Sequence, residues 1–332
     1  MATKLRLEIH RVTLQKQVQG EKGKSWVNCN FQELIDQFDK NDKQTALAKL
    51  WTKFVEQFGD QFSINTDGDK AVTATNNCKH TVSVKKNTIN GEVYGGPTNR
   101  EQAIYKQKNA KKSTNTVATD DVVSSSFFIK MWLPYDYTSG ALMIQSYTTS
   151  NISDLVKAHF TKFVLNYKFR LISTSYYPKA FMDARNKQSN VVSVTYVKDK
   201  ISKDSRRLIN PLFAEFDDLK IRVEITGFRK SVSDFWQLFK KDGRTLGTDI
   251  DPLEIKKDDD LTVVAKYVDE EGHSTTMNVD QERLRNFAYY LLPEEVMING
   301  KNTYDFDKIS KHTDSILETI QKETGYLKAK KK

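Results

Sequence analysis

One stretch, Ser124 to Tyr177, constrains the fold more than any other, because strand alternation, tight-turn chemistry and a helical apolar period follow there without a break. Phe127, Ile129 and Met131 alternate with Phe128, Lys130 and Trp132, which predicts a buried strand. Pro134, Tyr135, Asp136, Ser139 and Gly140 supply turn chemistry before the apolar run Ala141 to Ile144, so the pair reads as a hairpin. Asn151 can cap a helix through its side-chain oxygen, with Asp154 favourably placed near the positive end of the helix dipole. Ile152, Leu155, Val156, Phe160, Phe163, Val164 and Tyr167 then recur at helical spacing. Phe169 to Tyr177 reads as the returning strand. The unit is strand, strand, helix, strand around one core.

The remaining segments attach to that unit. Leu5, Leu7 and Ile9 alternate with Arg6, Glu8 and His10, predicting an opening strand that ends near Leu14, with a loop over Gln19 to Lys24. Phe31, Leu34, Ile35 and Phe38 mark a short helix, and Ala46, Leu47, Leu50, Trp51, Phe54, Val55 and Phe58 a longer one closed by Gly59. Short strands follow around Phe62, Ala71 and Thr81, the first two joined by the turn Thr66-Asp67-Gly68-Asp69. Asn90-Gly91 reads as a hairpin turn. Gly95 to Asp121 is polar and carries Lys106, Lys108, Lys111 and Lys112, the composition of a linker. Further on, the patterning predicts a helix over Pro178 to Lys187, strands over Val191 to Val197 and Leu219 to Thr226, and a helix from Ser231. A hairpin spans Leu261 to Val279, and the last helix begins near Phe306. Lys198 to Asn210 is expected as a charged connection. The sum is an α+β protein, with mixed, largely antiparallel sheets and hairpins packed against amphipathic helices. The expected division is an N-terminal α+β domain over 1–97, a basic linker or mobile loop over 98–122, a C-terminal α+β domain over 123–327 and a basic tail over 328–332.

Charge points toward partners. Residues 151–210 hold 12 basic side chains against 4 acidic ones, whereas 251–300 hold 5 against 12. A polyanion is the natural partner of the first segment. The candidate nucleic-acid-binding residues are Lys157, Lys162, Lys168, Arg170, Lys179, Arg185, Lys187, Arg206 and Arg207, with Tyr176 and Tyr177 available to stack on unpaired bases. Either DNA or RNA fits, and a protein partner or a homo-oligomer, joined through the opposed charge segments, is the competing reading. No run approaches the roughly 20 apolar residues of a membrane span, and Met1 to Glu8 lacks the apolar centre of a signal peptide, so a cytoplasmic protein without a membrane partner is expected. Cys29 and Cys78 read as reduced thiols.

Nucleophile-elbow, dinucleotide and phosphate-loop motifs are absent, so the chain reads as a binding protein more than an enzyme, with no cofactor, no catalytic residue and no metal assigned. Two acidic patterns keep a metal-dependent nuclease or nucleotidyltransferase in play: Asp249-Ile250-Asp251, which can share Mg²⁺, and Glu254-Ile255-Lys256 with Asp217 or Asp218 as partner. Cys78 and His80, with Cys29 and His10, form a weaker zinc candidate. His159, beside Phe160, reads as a packed histidine.

The aromatic strand, the segment Ser139-Gly140-Ala141-Leu142-Met143-Ile144-Gln145 and the helix after it resemble a pattern in poorly characterised bacterial proteins of anti-phage defence and abortive infection. The resemblance spans the middle third of the chain and carries no catalytic residue. It implies an antiviral setting in which the protein is a sensing or accessory component.

Overall fold

The computed structural model describes residues 4–20, 23–99, 102–106, 109–242, 261–268, 274–278 and 289–329. The chain opens with β1 (Leu5–Gly20), β2 (Gly23–Asn28), α1 (Gln32–Ile35), α2 (Lys43–Glu56), β3 (Ser63–Ile64), β4 (Lys70–Thr73), β5 (His80–Ser83) and β6 (Thr88–Pro97). It continues through β7 (Gln102–Lys106), β8 (Asn109–Val117), β9 (Ser125–Trp132), β10 (Ser139–Tyr147), α3 (Ser153–Asn166) and β11 (Phe169–Ser175). Then come α4 (Lys179–Gln188), β12 (Asn190–Lys198), α5 (Lys203–Ile209), β13 (Ile221–Ser231), α6 (Val232–Asp242), β14 (Thr262–Val268) and β15 (Ser274–Asn278). β16 (Tyr290–Leu291), α7 (Phe306–Glu323) and α8 (Tyr326–Ala329) close it. The class is α+β with antiparallel pairing, as the patterning implies.

Two compact units result: 1–177 together with 289–332, and 178–288. The division expected from sequence differs. Its break at 98–122 interrupts a single sheet of order β11-β1-β10-β9-β6-β4-β3, and β7 pairs with β8 where a linker was expected.

The organising strand of the first unit is β1. It pairs with β10 and β2, and also with β11 and β16, all antiparallel. β10 and β11 are therefore parallel to each other with β1 between them, and α3 is the crossover. The predicted strand-strand-helix-strand unit is present, but its last strand joins through the chain's first. The N-cap of α3 is Ile152, without a side-chain cap; the expected cap, Asn151, sits one residue earlier and its Oδ1 accepts from the Ser153 amide at 2.7 Å.

Both faces of the central sheet are covered, which is why all of Phe127 to Leu133 is buried. On one face α2 and α3 interlock through Phe54, whose ring lies 5.9 Å from Phe160 and 5.8 Å from Phe163. His159 belongs to this layer. It stacks 3.4 Å from Phe58, and burial lowers its pKa to about 4, so it is neutral as the packed histidine expected. On the other face Phe128 meets Phe306 of α7 at 5.6 Å and Trp132 meets Tyr326 of α8 at 5.1 Å.

Lys130 sits among these residues with 0% of its side chain exposed. Its Nζ donates to Ser310 O at 3.0 Å and to Asp314 Oδ1 at 2.6 Å, both on α7, while the exposed Lys86 holds Asp314 Oδ2 at 2.6 Å. Burial lowers the Lys130 pKa to about 8 against the opposing pull of Asp314. A buried charge chain therefore fixes α7 to the strand centre.

Asn90-Gly91 does not turn. β6 runs straight through it, because a Cβ at Gly91 would lie 2.0 Å from Trp51 Cη2, and only glycine lets α2 approach so closely. Gly96 and Gly140 are likewise close-approach positions, facing the carbonyls of Val123 and Trp132 at 2.1 and 2.3 Å. The turn at Gly68 (φ +71°) forms as expected between β3 and β4.

The second unit is the antiparallel sheet β13-β12-β14-β15 with α4 and α6 packed on it. Val194, Tyr196, Phe235, Val263 and Tyr267 form its core. The expected charged connection after Lys198 contains α5, capped by Ser202 Oγ accepting from the Ser205 amide at 3.1 Å. Among the described residues no helix is long and apolar enough to cross a membrane.

Candidate nucleic-acid interface

The nine basic residues singled out in the sequence divide between the two units: Lys157, Lys162, Lys168 and Arg170 in the first, Lys179, Arg185, Lys187, Arg206 and Arg207 in the second. Lys162 is exposed on α3, Lys168 is exposed in the turn after it, and Lys157 is paired with Asp154 at 2.6 Å. Lys179, Lys187 and Arg207 are exposed; the Arg185 side chain lies outside the described residues. Arg206 is buried, its Nη2 3.9 Å from Asp217. Tyr176 is half-buried and donates to Glu323 Oε2 at 2.6 Å, an engagement that with burial raises its pKa.

The segment bias that suggested one basic surface is redistributed by the fold. Residues 178–288 contain 20 Lys and Arg against 20 Asp and Glu, so the basic and acidic runs cancel within the second unit. All of the chain's formal excess of +9 falls to the first unit.

Within the first unit the strand registers define a charged, uncovered face. Ile9 pairs with Met143, which pairs with Lys130, so odd-numbered β1 residues share the α7 side of the sheet. Beyond the cover of α7 that side continues through Arg11, Thr13 and Gln15, with Arg170, Ile172 and Thr174 opposite on β11. It runs on through Gln17 and Gln19, opposite Trp26 and Lys24 on β2. Arg11, Lys24 and Arg170 are exposed, as are Gln17, Gln19, Asn28, Ile172 and Thr174. Two contacts fix the surface: Arg11 Nε donates to Ser139 Oγ at 2.7 Å, and Gln15 Nε2 to Asn28 Oδ1 at 3.0 Å. None of these ladder positions holds a carboxylate.

Only Arg170 of the sequence candidates lies on this platform. Lys162 belongs to α3, across the sheet, and Lys168 sits in the turn between α3 and β11. Lys24 and Trp26 were missed because β1 was expected to end near Leu14, whereas it continues to Gly20 and pairs with β2, and Arg11 because nothing local shows that its side of the strand stays uncovered. The signal was present as Arg11, Thr13, Gln15, Gln17 and Gln19, polar residues at strand spacing directly after an apolar alternation.

The other chemical candidates separate. Asp249, Asp251 and Glu254 lie outside the described residues, and Asp217 is 98% exposed. Cys29 and Cys78 are buried thiols. Burial raises the Cys29 pKa to about 11, and Cys78 Sγ accepts from the Thr75 amide at 3.2 Å. Among the described residues no three His, Cys, Asp or Glu side chains are grouped to hold a metal ion. The Ser139 to Gln145 segment that carries the resemblance is buried throughout as part of β10, so its role in this chain is packing.

Comparison with protein-family models, curated proteins and solved structures gave no match.

Proposed function

We propose that the protein binds single-stranded nucleic acid across the uncovered face of β11, β1 and β2. The observation that carries this reading is an uncovered sheet surface bearing Arg11, Lys24 and Arg170 with no carboxylate in its ladders. Guanidinium and ammonium groups neutralise phosphates and release counterions, Trp26 offers a ring for an unpaired base, and Gln15, Gln17 and Asn28 supply donors and acceptors for base edges. An extended strand lying over a sheet presents phosphates and bases at once, whereas a duplex offers such a surface only its backbone. A sensing or accessory role in bacterial anti-phage defence, as implied by the resemblance, is the setting proposed for this binding.

Fluorescence anisotropy against single- and double-stranded DNA and RNA, at several salt concentrations, tests the reading. Arg11→Glu with Arg170→Glu is expected to weaken single-strand binding by about 100-fold at low salt and to flatten the slope of log affinity against log salt by about 1.4, at roughly 0.7 per single-strand phosphate contact. Trp26→Ala should cost about 1–3 kcal/mol with the slope unchanged. Lys162→Glu, on the opposite face, should leave binding close to wild type. Equal losses from Lys162→Glu and Arg170→Glu would reduce the proposal to unspecific charge attraction, and no binding at low salt would end it.

A further inference from the structure

A cavity of about 430 Å³ opens where β6 and β9 meet the start of α7, a volume suited to a small molecule. At its wall is Glu92, only 9% exposed. Glu92 Oε1 accepts from the Tyr304 hydroxyl at 3.0 Å, and burial, reinforced by Glu92, raises the Tyr304 pKa so that this hydroxyl remains a donor. Among the described residues no cationic nitrogen lies within 4.0 Å of the Glu92 carboxylate, and Oε2 has no hydrogen-bond partner. Lys79 also lines the cavity but is exposed and forms no ion pair with it.

The Glu92 side chain is largely enclosed, with Oε1 held by Tyr304, while Oε2 has no protein partner and opens to the water of the cavity. The remaining walls suit an ammonium group. Tyr94, Tyr304 and Phe306 present aromatic surface, Ser126 and Thr303 present hydroxyl acceptors, and Asp307 adds a second negative charge at an exposed position. Asp305 is already engaged, its Oδ1 accepting from the Asp307 and Lys308 amides at 3.0 and 3.1 Å as the cap of α7. A divalent metal fits less well, since it calls for about six oxygen ligands and no such grouping occurs among the described residues.

From the Glu92 carboxylate oxygen that faces this cavity without a protein partner, framed by aromatic and hydroxyl walls, we infer a binding site for a small primary amine, whose ammonium group supplies the counter-charge. The site lies among β6, β9 and α7, and its occupation is independent of the nucleic-acid reading.

Isothermal titration calorimetry and thermal shift on the full chain, at a fixed near-physiological salt concentration, test this with putrescine, spermidine and glucosamine as probes. The controls are 1,4-butanediol, which lacks charge, and Mg²⁺. At least one amine is expected to bind saturably and raise the melting temperature, while butanediol does neither. Glu92→Gln keeps an acceptor for Tyr304 and removes the charge. It should fold with unchanged or higher melting temperature and weaken amine binding at least ten-fold, and Asp307→Asn should weaken it a few-fold. Amine binding unchanged in Glu92→Gln, no response to any amine, or a response to Mg²⁺ alone would each overturn the inference.

Discussion

Asp314→Ala is expected to destabilise the first unit by about 3–5 kcal/mol, while Lys130→Met leaves its stability close to wild type or higher. The two changes break the same ion pair, yet their consequences differ because the partners sit in different surroundings. Removing Asp314 strands the ammonium of Lys130 in the core with the Ser310 carbonyl as its one remaining partner. Removing Lys130 strands nothing: Asp314 keeps Lys86 at 2.6 Å and is 23% exposed. Methionine, unbranched and similar in length to the lysine stem, refills the space between Phe128 and Trp132. Chemical denaturation of both variants reads the difference, and equal losses would refute this account of the pair.

The same lysine sets a pH dependence of definite sign. Its folded pKa, lowered by burial to about 8, lies below the ordinary 10.5, so between those values the unfolded chain holds more protons. Stability contributed by this group therefore rises with pH from about 8 to about 10.5, and Lys130→Met should lose that rise. Asp314 acts at the acid end. Burial raises its pKa, but hydrogen bonds from Lys130 and Lys86 outweigh burial and lower it overall, so its contribution is lost as pH falls through the folded value.

The second large effect is expected at Gly91. A methyl group there would overlap three ring atoms of Trp51, at 2.0, 2.5 and 2.6 Å, and Trp51 is itself 2% exposed and packed against Phe54 and His80. Neither the central strand nor the indole has room to retreat, so Gly91→Ala should cost about 3 kcal/mol or more. Trp51→Leu alone should cost about the same by opening a cavity. The double variant fills that cavity with the new methyl and is expected to be more stable than the sum of the single losses by at least about 1 kcal/mol. Additive losses in a double-mutant cycle would show that the glycine is needed for another reason.

Gly91 also shows what was legible in the sequence and what was not. Asn-Gly between β-prone residues is the local signature of a hairpin, and nothing nearby reveals that an indole from 40 residues earlier will occupy the missing side-chain position. Where local patterning and tertiary demand agree, as in the Phe127 to Trp132 alternation and the apolar period of α3, the elements form where they are expected. Sheet order was beyond reach because β1 joins strands more than a hundred residues apart, an outcome of long-range register. For the interface, charge counted along the sequence mixed two units and two faces. Arg170 was found because it is basic, whereas Arg11, Lys24 and Trp26 needed the knowledge that β1 continues and stays uncovered.

The pairing of β1 with β16 has a kinetic side. The chain's opening strand receives β16 only after the whole second unit has been made, and α7 follows later still. During synthesis, the face bearing Leu7, Phe128 and Lys130 therefore waits for its cover while residues 178–288 are added, roughly 6–22 s at 5–20 residues per second. For that interval the nascent chain carries an open apolar sheet face with an unpaired lysine at its centre. That lysine is a charge in the middle of an exposed hydrophobic surface, the kind of residue that discourages one unfinished sheet from pairing with another. The ammonium that strains the finished core would thus protect the unfinished one.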